Sequence, residues 1–143
     1  MPKSTTFSND LIALIFNATP IANFADNAAA SAATNLFLSL HTANPGVGGS
    51  QLTSEAAYTN YVRIPITRTV GGWTCAAGVA TNTALAQFPQ CGATGATITH
   101  VAVGTVLTGA GKVLYSGALS ASLSIANLIQ PQFAVNALTV SES

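Results

Sequence analysis

Any chemistry in this sequence has to come from four carboxylates, two histidines, two cysteines and an abundance of hydroxyl side chains. The carboxylates are Asp10, Asp26, Glu55 and Glu142. Two fall near the N-terminus, one in a long loop and one in the C-terminal tail, so a glycosidase-like pair flanking one bond has no local origin. His41 ends an apolar segment, and His100 alternates with Ile98 and Ala102. With Cys75 and Cys91 they are the right ligand types for zinc, but no Cys-x-x-Cys or His-x₃-His spacing accompanies them. Histidines hydrogen-bonded within a sheet are the expectation. No Gly-x-Ser-x-Gly elbow is present. Gly109-Ala110-Gly111-Lys112 lacks the first glycine, the spacing and the following Ser or Thr of a phosphate loop, and reads as a turn between strands. The two cysteines make no disulfide framework. One bridge between adjacent strands is geometrically open, but a reducing compartment favours free thiols. The expectation is therefore no catalytic residue, no metal and no cofactor.

Composition points away from enzymes too. The chain has 143 residues, enough for one domain with a sizeable core. Hydrophobic residues make up 49%, but charged residues only 6%, against a usual value of roughly 25%. So few charges suggest a surface largely covered by other protein; the alternative is a Thr/Ser-rich β-domain kept soluble by hydroxyls. The basic residues Lys3, Arg63, Arg68 and Lys112 are scattered. No stripe exists to neutralise phosphates, so direct nucleic-acid binding is not expected. A polybasic anchor, an apolar run of about 18 residues and a clear signal peptide are all missing from the sequence, which predicts no membrane contact and synthesis in a cytoplasm.

The elements that must position these residues are short. Ser8 to Asn17 reads as a helix capped by Ser8, with Asp10 in its first turn and Leu11, Ile12, Leu14, Ile15 and Phe16 on more than one face. About ten residues do not hold a helix alone, so it must dock. Pro20 ends it. Ala28 to Ala33 fits either a helix extension or a linker. Leu36 to His41 is the first strand, followed by a turn-rich loop from Thr42 to Tyr61 of a length usually tied to function. Val62, Ile64 and Ile66 alternate with Arg63 and Thr67, and Pro65 puts this strand at an edge or bulge. Further strands fall at Trp73–Ala76, Val79–Phe88, Ile98–Gly104, Val113–Leu119, Ser122–Ala126 and Leu138–Val140. Roughly seven to nine short strands with turn residues between them predict an all-β fold, a jelly-roll-like antiparallel β-sandwich over 36–143, preceded by a helix and Ala-rich arm over 1–35.

Trp73, Tyr58, Tyr61 and Tyr115 admit a carbohydrate-stacking reading; core or interface is the plainer one, with Tyr58 and Tyr61 at the loop end as contacts. The order of segments adds to this. LFLSLH is followed by a T-A-x-P-G turn, a Gly-Gly-x-x-L-T-x-E-A-x-Y stretch, a Y-V-R-I-x-I-x-R-T strand and Gly-Trp. Then come F-P, T-I-T-H-V-A-V-G, Gly-x-Val-Leu-Tyr-Ser-Gly-Ala-Leu and Q-P-Q-F-A-x-x-A-L-T-V. From Leu36 to Val140 this resembles a widespread family of small tailed-phage virion proteins. Members are often labelled phage tail fibre protein, and others are similar to capsid cement or decoration proteins. The resemblance implies a symmetric oligomer, a homodimer or higher, that binds the capsid exterior and bridges major capsid protein subunits. A tail or tail-fibre-associated subunit is the alternative within the virion, and a carbohydrate-binding β-sandwich the alternative outside that class. The expected contacts are the helix (Leu11, Ile15, Phe16), the loop (Asn44, Leu52, Tyr58, Tyr61) and the edge strand at Arg63 and Arg68.

Overall fold

The computed structural model describes residues 3–21, 25 and 32–142. Asp26 and Ala28 to Ser31 of the Ala-rich stretch lie outside these. One helix, α1 (Thr5–Asn17), precedes β1 (Asn35–His41), β2 (Ile64–Thr67), β3 (Trp73–Ala76), β4 (Val79–Asn82), β5 (Ala86–Gln87), β6 (Ala96–Gly104), β7 (Val113–Ile125), β8 (Gln132–Phe133) and β9 (Thr139–Ser141). A four-stranded sheet has the order β2-β1-β6-β7, a three-stranded sheet the order β3-β4-β9, and β5 pairs β8. The ladders β1–β6, β6–β7, β3–β4 and β4–β9 are all antiparallel. The fold class is the one expected: all-β with a single short N-terminal helix, consistent with a β-sandwich.

The chain forms two compact units, one of residues 1–35, 67–86 and 133–143, the other of 36–66 and 87–132. In the first, α1 packs on β3 and β4. Its N-cap is Ser4, not Ser8: Ser4 is extended (φ −69°, ψ 153°), and its Oγ accepts from the Phe7 amide at 3.2 Å. Capping one turn earlier leaves no acid in the first turn, so Asp10 gains nothing from the helix dipole. Ser8 is instead buried with Ile12 and Phe16, at the i, i+4 spacing of one helical face. Phe16 meets Trp73 edge-on, ring centroids 4.6 Å apart, and both are fully buried. Ala77 and Gly78 join β3 to β4, both at positive φ (51° and 74°), as a two-residue hairpin of the primed type requires. A side chain at Gly78 would meet Ser8 of the helix, so glycine also allows the close approach.

In the second unit β1 is central and apolar: Leu36, Leu38 and Leu40 are buried, with Ile98, Ala102 and Val103 of the neighbouring β6. Pro65 stands on β2 at one edge of the sheet, as its missing N–H demands. The two stretches read separately as Val113–Leu119 and Ser122–Ala126 are one strand, β7. Its 13 residues face nine on β6. Ile98 pairs Leu123 but His100 pairs Ala118, so Leu119 to Ser122 have no register partner on β6. The break between the two segments is thus a shift of register within one strand rather than a turn. Gly109, at φ 85°, lies in the turn joining β6 to β7, where the sequence predicts a turn in place of a phosphate loop.

Candidate contact surfaces

The long loop is held to the sheet by buried polar side chains. Ser39 and His41 alternate onto one face of β1, and both are fully buried. His41 Nδ1 lies 2.9 Å from the Thr53 carbonyl, which can only accept, so Nδ1 carries the proton. Nε2 then accepts from Ser39 Oγ at 2.8 Å. Burial, the largest influence, pushes the His41 pKa below its ordinary value, which keeps the ring neutral. The pair has the geometry of a nucleophile and its base, but its zero exposure makes it a latch on the loop.

Beside it, Arg63 clasps both carboxylate oxygens of Glu55, Nε donating to Oε1 at 2.6 Å and Nη2 to Oε2 at 2.7 Å. The same guanidinium donates to the carbonyls of Val106 (3.0 Å) and Gly109 (2.9 Å) in the β6–β7 turn. Tyr61 donates to Glu55 at 2.9 Å and accepts from the Leu40 amide at 3.0 Å, and burial pushes its pKa well above the usual tyrosine range. Gln51, fully buried, accepts from the amides of Thr105 and Val106, each at 3.0 Å. Its amide head fills the space that side chains at Gly104 and Gly111 would need. Loop and turn are thereby tied together, while Val47, Leu52 and Leu107 stand exposed on them.

In the first unit, Arg68 closes the C-terminal end of α1. Its guanidinium donates to the carbonyls of Ile15 (2.7 Å), Leu14 (2.8 Å) and Ala33 (2.7 Å). The first two are among the last carbonyls of the helix, which have no intrahelical donor, and the positive charge sits at the negative end of the dipole. Asn82, also fully buried, fixes the C-terminal segment by donating to the carbonyls of Ala84 (2.7 Å) and Ala134 (2.8 Å) and accepting from the Leu138 amide (2.9 Å).

The contact residues expected from sequence separate into three groups. Phe16, Tyr58 and Arg63 are buried at 0%, 2% and 3% exposure, so their side chains face the interior of this chain. Tyr58 donates to the Pro89 carbonyl at 2.8 Å, and burial pushes its pKa up to about 12. Leu11, Ile15, Tyr61 and Arg68 are half-buried, the last two with polar groups committed internally. Asn44 and Leu52 are exposed. The alternation read for Val62 and Arg63 is reversed: Val62 is exposed and Arg63 buried, because Glu55 draws the guanidinium inward. Trp73 and Tyr58 are too deeply buried to stack on a sugar. Both cysteines are free, Cys75 on β3 and Cys91 in the loop after β5, so they are not on adjacent strands. Among the described residues no group of three or more His, Cys, Asp or Glu could hold a metal ion. No described helix is long and apolar enough to cross a membrane.

Sequence reasoning misses Ser39, Gln51, Asn82 and Tyr61 as pins. Ser39-x-His41 on one strand face is the only local signal; Gln51 and Asn82 each bond across more than 50 positions, to Thr105 and Ala134.

An antiparallel β-chain that spends its charges and buried amides on fixing its own loops has the build of a structural protein. Comparison with known families gives that class its place. The family described as podophage GP4 fiber I protein gp80 matches residues 3–141, and the chain belongs to it. It is a structural protein of a bacteriophage virion. No curated protein matches the chain.

Proposed function

We propose that the protein is a non-catalytic subunit of the virion's fibre apparatus, working by packing against neighbouring virion protein. The observation that carries this is the family match, whose description names a fibre protein and whose span includes every element from α1 to β9. The structure supports it in a second way. A loop of the length read from Thr42 to Tyr61 is costly to order on contact; here it is already fixed, so the ordering cost of docking is lowered.

The capsid-cement role is the competing account, and copy number with position on the particle separates the two. Quantitative mass spectrometry of purified virions should give a few to about a few dozen copies, following the symmetry of a tail. Immunogold label should lie at the tail. A count in the hundreds, in simple ratio to the major capsid protein and with label over the shell, would overturn the fibre assignment in favour of cement. Absence from the particle would overturn both.

A further inference from the structure

Six described residues other than glycine hold a positive φ: Ala18, Ser54, Asn60, Ala77, Leu128 and Asn136. Leu128, at φ 68°, is the one large apolar side chain among them. A bulky residue in the left-handed region is crowded by its own backbone, and such strain persists only where the surroundings impose it. Here they do. Leu128 is the third residue of a turn after β7, closed by the Ile129 amide donating to the Ala126 carbonyl at 3.0 Å. The turn is braced on the segment after β5. The Leu128 amide donates to the Cys91 carbonyl at 2.8 Å, the Cys91 amide to the Ile129 carbonyl at 2.9 Å, and Gln90 Nε2 to the Leu128 carbonyl at 2.9 Å.

The strain brings little burial within the chain. Leu128 is 67% exposed and Ile129 43%. Glycine or asparagine at position 128 would close the same turn without strain and without setting a large apolar side chain in water. The turn therefore holds two apolar side chains outward, at a cost to the folded chain, in a geometry fixed before any contact. Two acceptors flank them. Gln90 spends its Nε2 on the Leu128 carbonyl, and Gln130 donates its own to the Phe88 carbonyl at 3.0 Å. Both glutamines are exposed, and among the described residues no donor reaches either Oε1. No residue from 69 to 111 or from 113 to 141 is charged, so neither segment brings a charge to the turn.

We propose that this turn is a docking knob for a different protein of the virion, one that offers an uncharged apolar recess rimmed by hydrogen-bond donors. Apolar side chains at the centre and polar groups around them are the anatomy of a specific contact. A second copy of this chain does not supply the complement, because an isologous contact sets the same patch against itself, knob on knob and acceptor on acceptor. The knob rests on the packing role given above, but not on whether the neighbour lies in the fibre or the shell.

Phage with their own copy of the gene silenced, grown in cells that supply one chain at a time at matched, limiting expression, test this. Quantitative mass spectrometry of purified particles gives the copies taken up. Leu128→Gly and Leu128→Asn relieve the backbone and remove the knob. Their urea midpoints should equal or exceed that of wild type, while copies per particle fall about tenfold or more. Val70→Ser, which removes a side chain 79% exposed in the other unit, should be taken up as wild type is. A photoreactive residue at position 128 should cross-link the chain to a different virion protein. Undiminished uptake of the Leu128 variants, or an equal loss in Val70→Ser, would overturn the knob and leave the packing role standing. A urea midpoint for Leu128→Asn well below wild type would overturn it too, by making Leu128 a residue of the fold, and so would a cross-link only to a second copy. Absence of the wild-type chain from particles would overturn the packing role and the knob with it.

Discussion

Replacing Arg63 with methionine separates a residue that holds the fold from one that contacts a partner. In the structure its side chain is 2% exposed and that of Glu55 12%. Methionine keeps much of the aliphatic volume but removes both charged hydrogen bonds to the carboxylate and the two to the β6–β7 turn. Glu55 then keeps only the Tyr61 hydroxyl as a named donor. Stranding one member of a buried ion pair costs about 3–5 kcal/mol. For a chain near this size that corresponds to a melting temperature lower by roughly 10–15 °C. Urea denaturation followed by far-ultraviolet circular dichroism measures it. The control is Glu55→Leu with Arg63→Met: with both charges gone, no ion is stranded, and the double variant should be more stable than Arg63→Met alone. A loss below about 1 kcal/mol in Arg63→Met, or a double-variant loss equal to the sum of the single losses, would refute the clasp as the pin of the loop. A surface contact residue would produce that weak outcome, with the defect appearing only on assembly.

Two further outcomes follow from the same geometry. Arg68→Ala should cost about 1.5–3 kcal/mol, the range for hydrogen bonds to a charged group, by unsealing the end of α1; Arg68→Lys should recover only part, because an ammonium cannot span the three carbonyls. Trp73, the single tryptophan and the neighbour of Phe16, reports that loss by fluorescence during denaturation. His41 makes stability depend on pH in a fixed direction. Its folded pKa lies below the unfolded value of about 6.5, so the unfolded chain binds the proton first as pH falls. The stabilisation is complete above that value and is lost as pH drops through and below it. Urea midpoints at intervals from about pH 7.5 to 5 should fall for wild type and fall less for His41→Gln; equal slopes would show that His41 is not responsible.

The class of fold is legible in the sequence because turn residues and period-2 runs are local signals. Pro65 marks an edge and Gly109 a turn for reasons that each residue carries with it. The helix boundary is misplaced by one turn because Ser4 and Ser8 are both good caps, and only the path of the backbone decides between them. The functional side chains are less legible. Arg63 and Arg68 look like surface charges in a chain poor in charge, and both instead donate to acceptors fixed by distant segments: Glu55, Val106 and Gly109 for one, the end of α1 for the other. Tyr58 looks like an interface aromatic because it borders the loop, but its hydroxyl is spent on Pro89, 31 positions later. Long-range hydrogen bonds of this kind leave no periodic trace.

The scarcity of charge therefore has a more specific meaning than a covered surface. Of the eight charged residues, Arg63 and Glu55 bind each other, Lys3 and Glu142 pair at 2.6 Å, and Arg68 caps a helix. Charge is used mainly to hold segments of the chain to one another: the loop, the helix end and the tail. On the packing role proposed above, recognition would fall to hydroxyls, backbone groups and isolated apolar side chains such as the exposed Val47 and Leu52. Contacts of that kind discriminate through shape and register more than through attraction at a distance, and they gain strength when many are made together. A virion, in which subunits repeat and neighbours are held at fixed spacing, is a setting in which such contacts suffice.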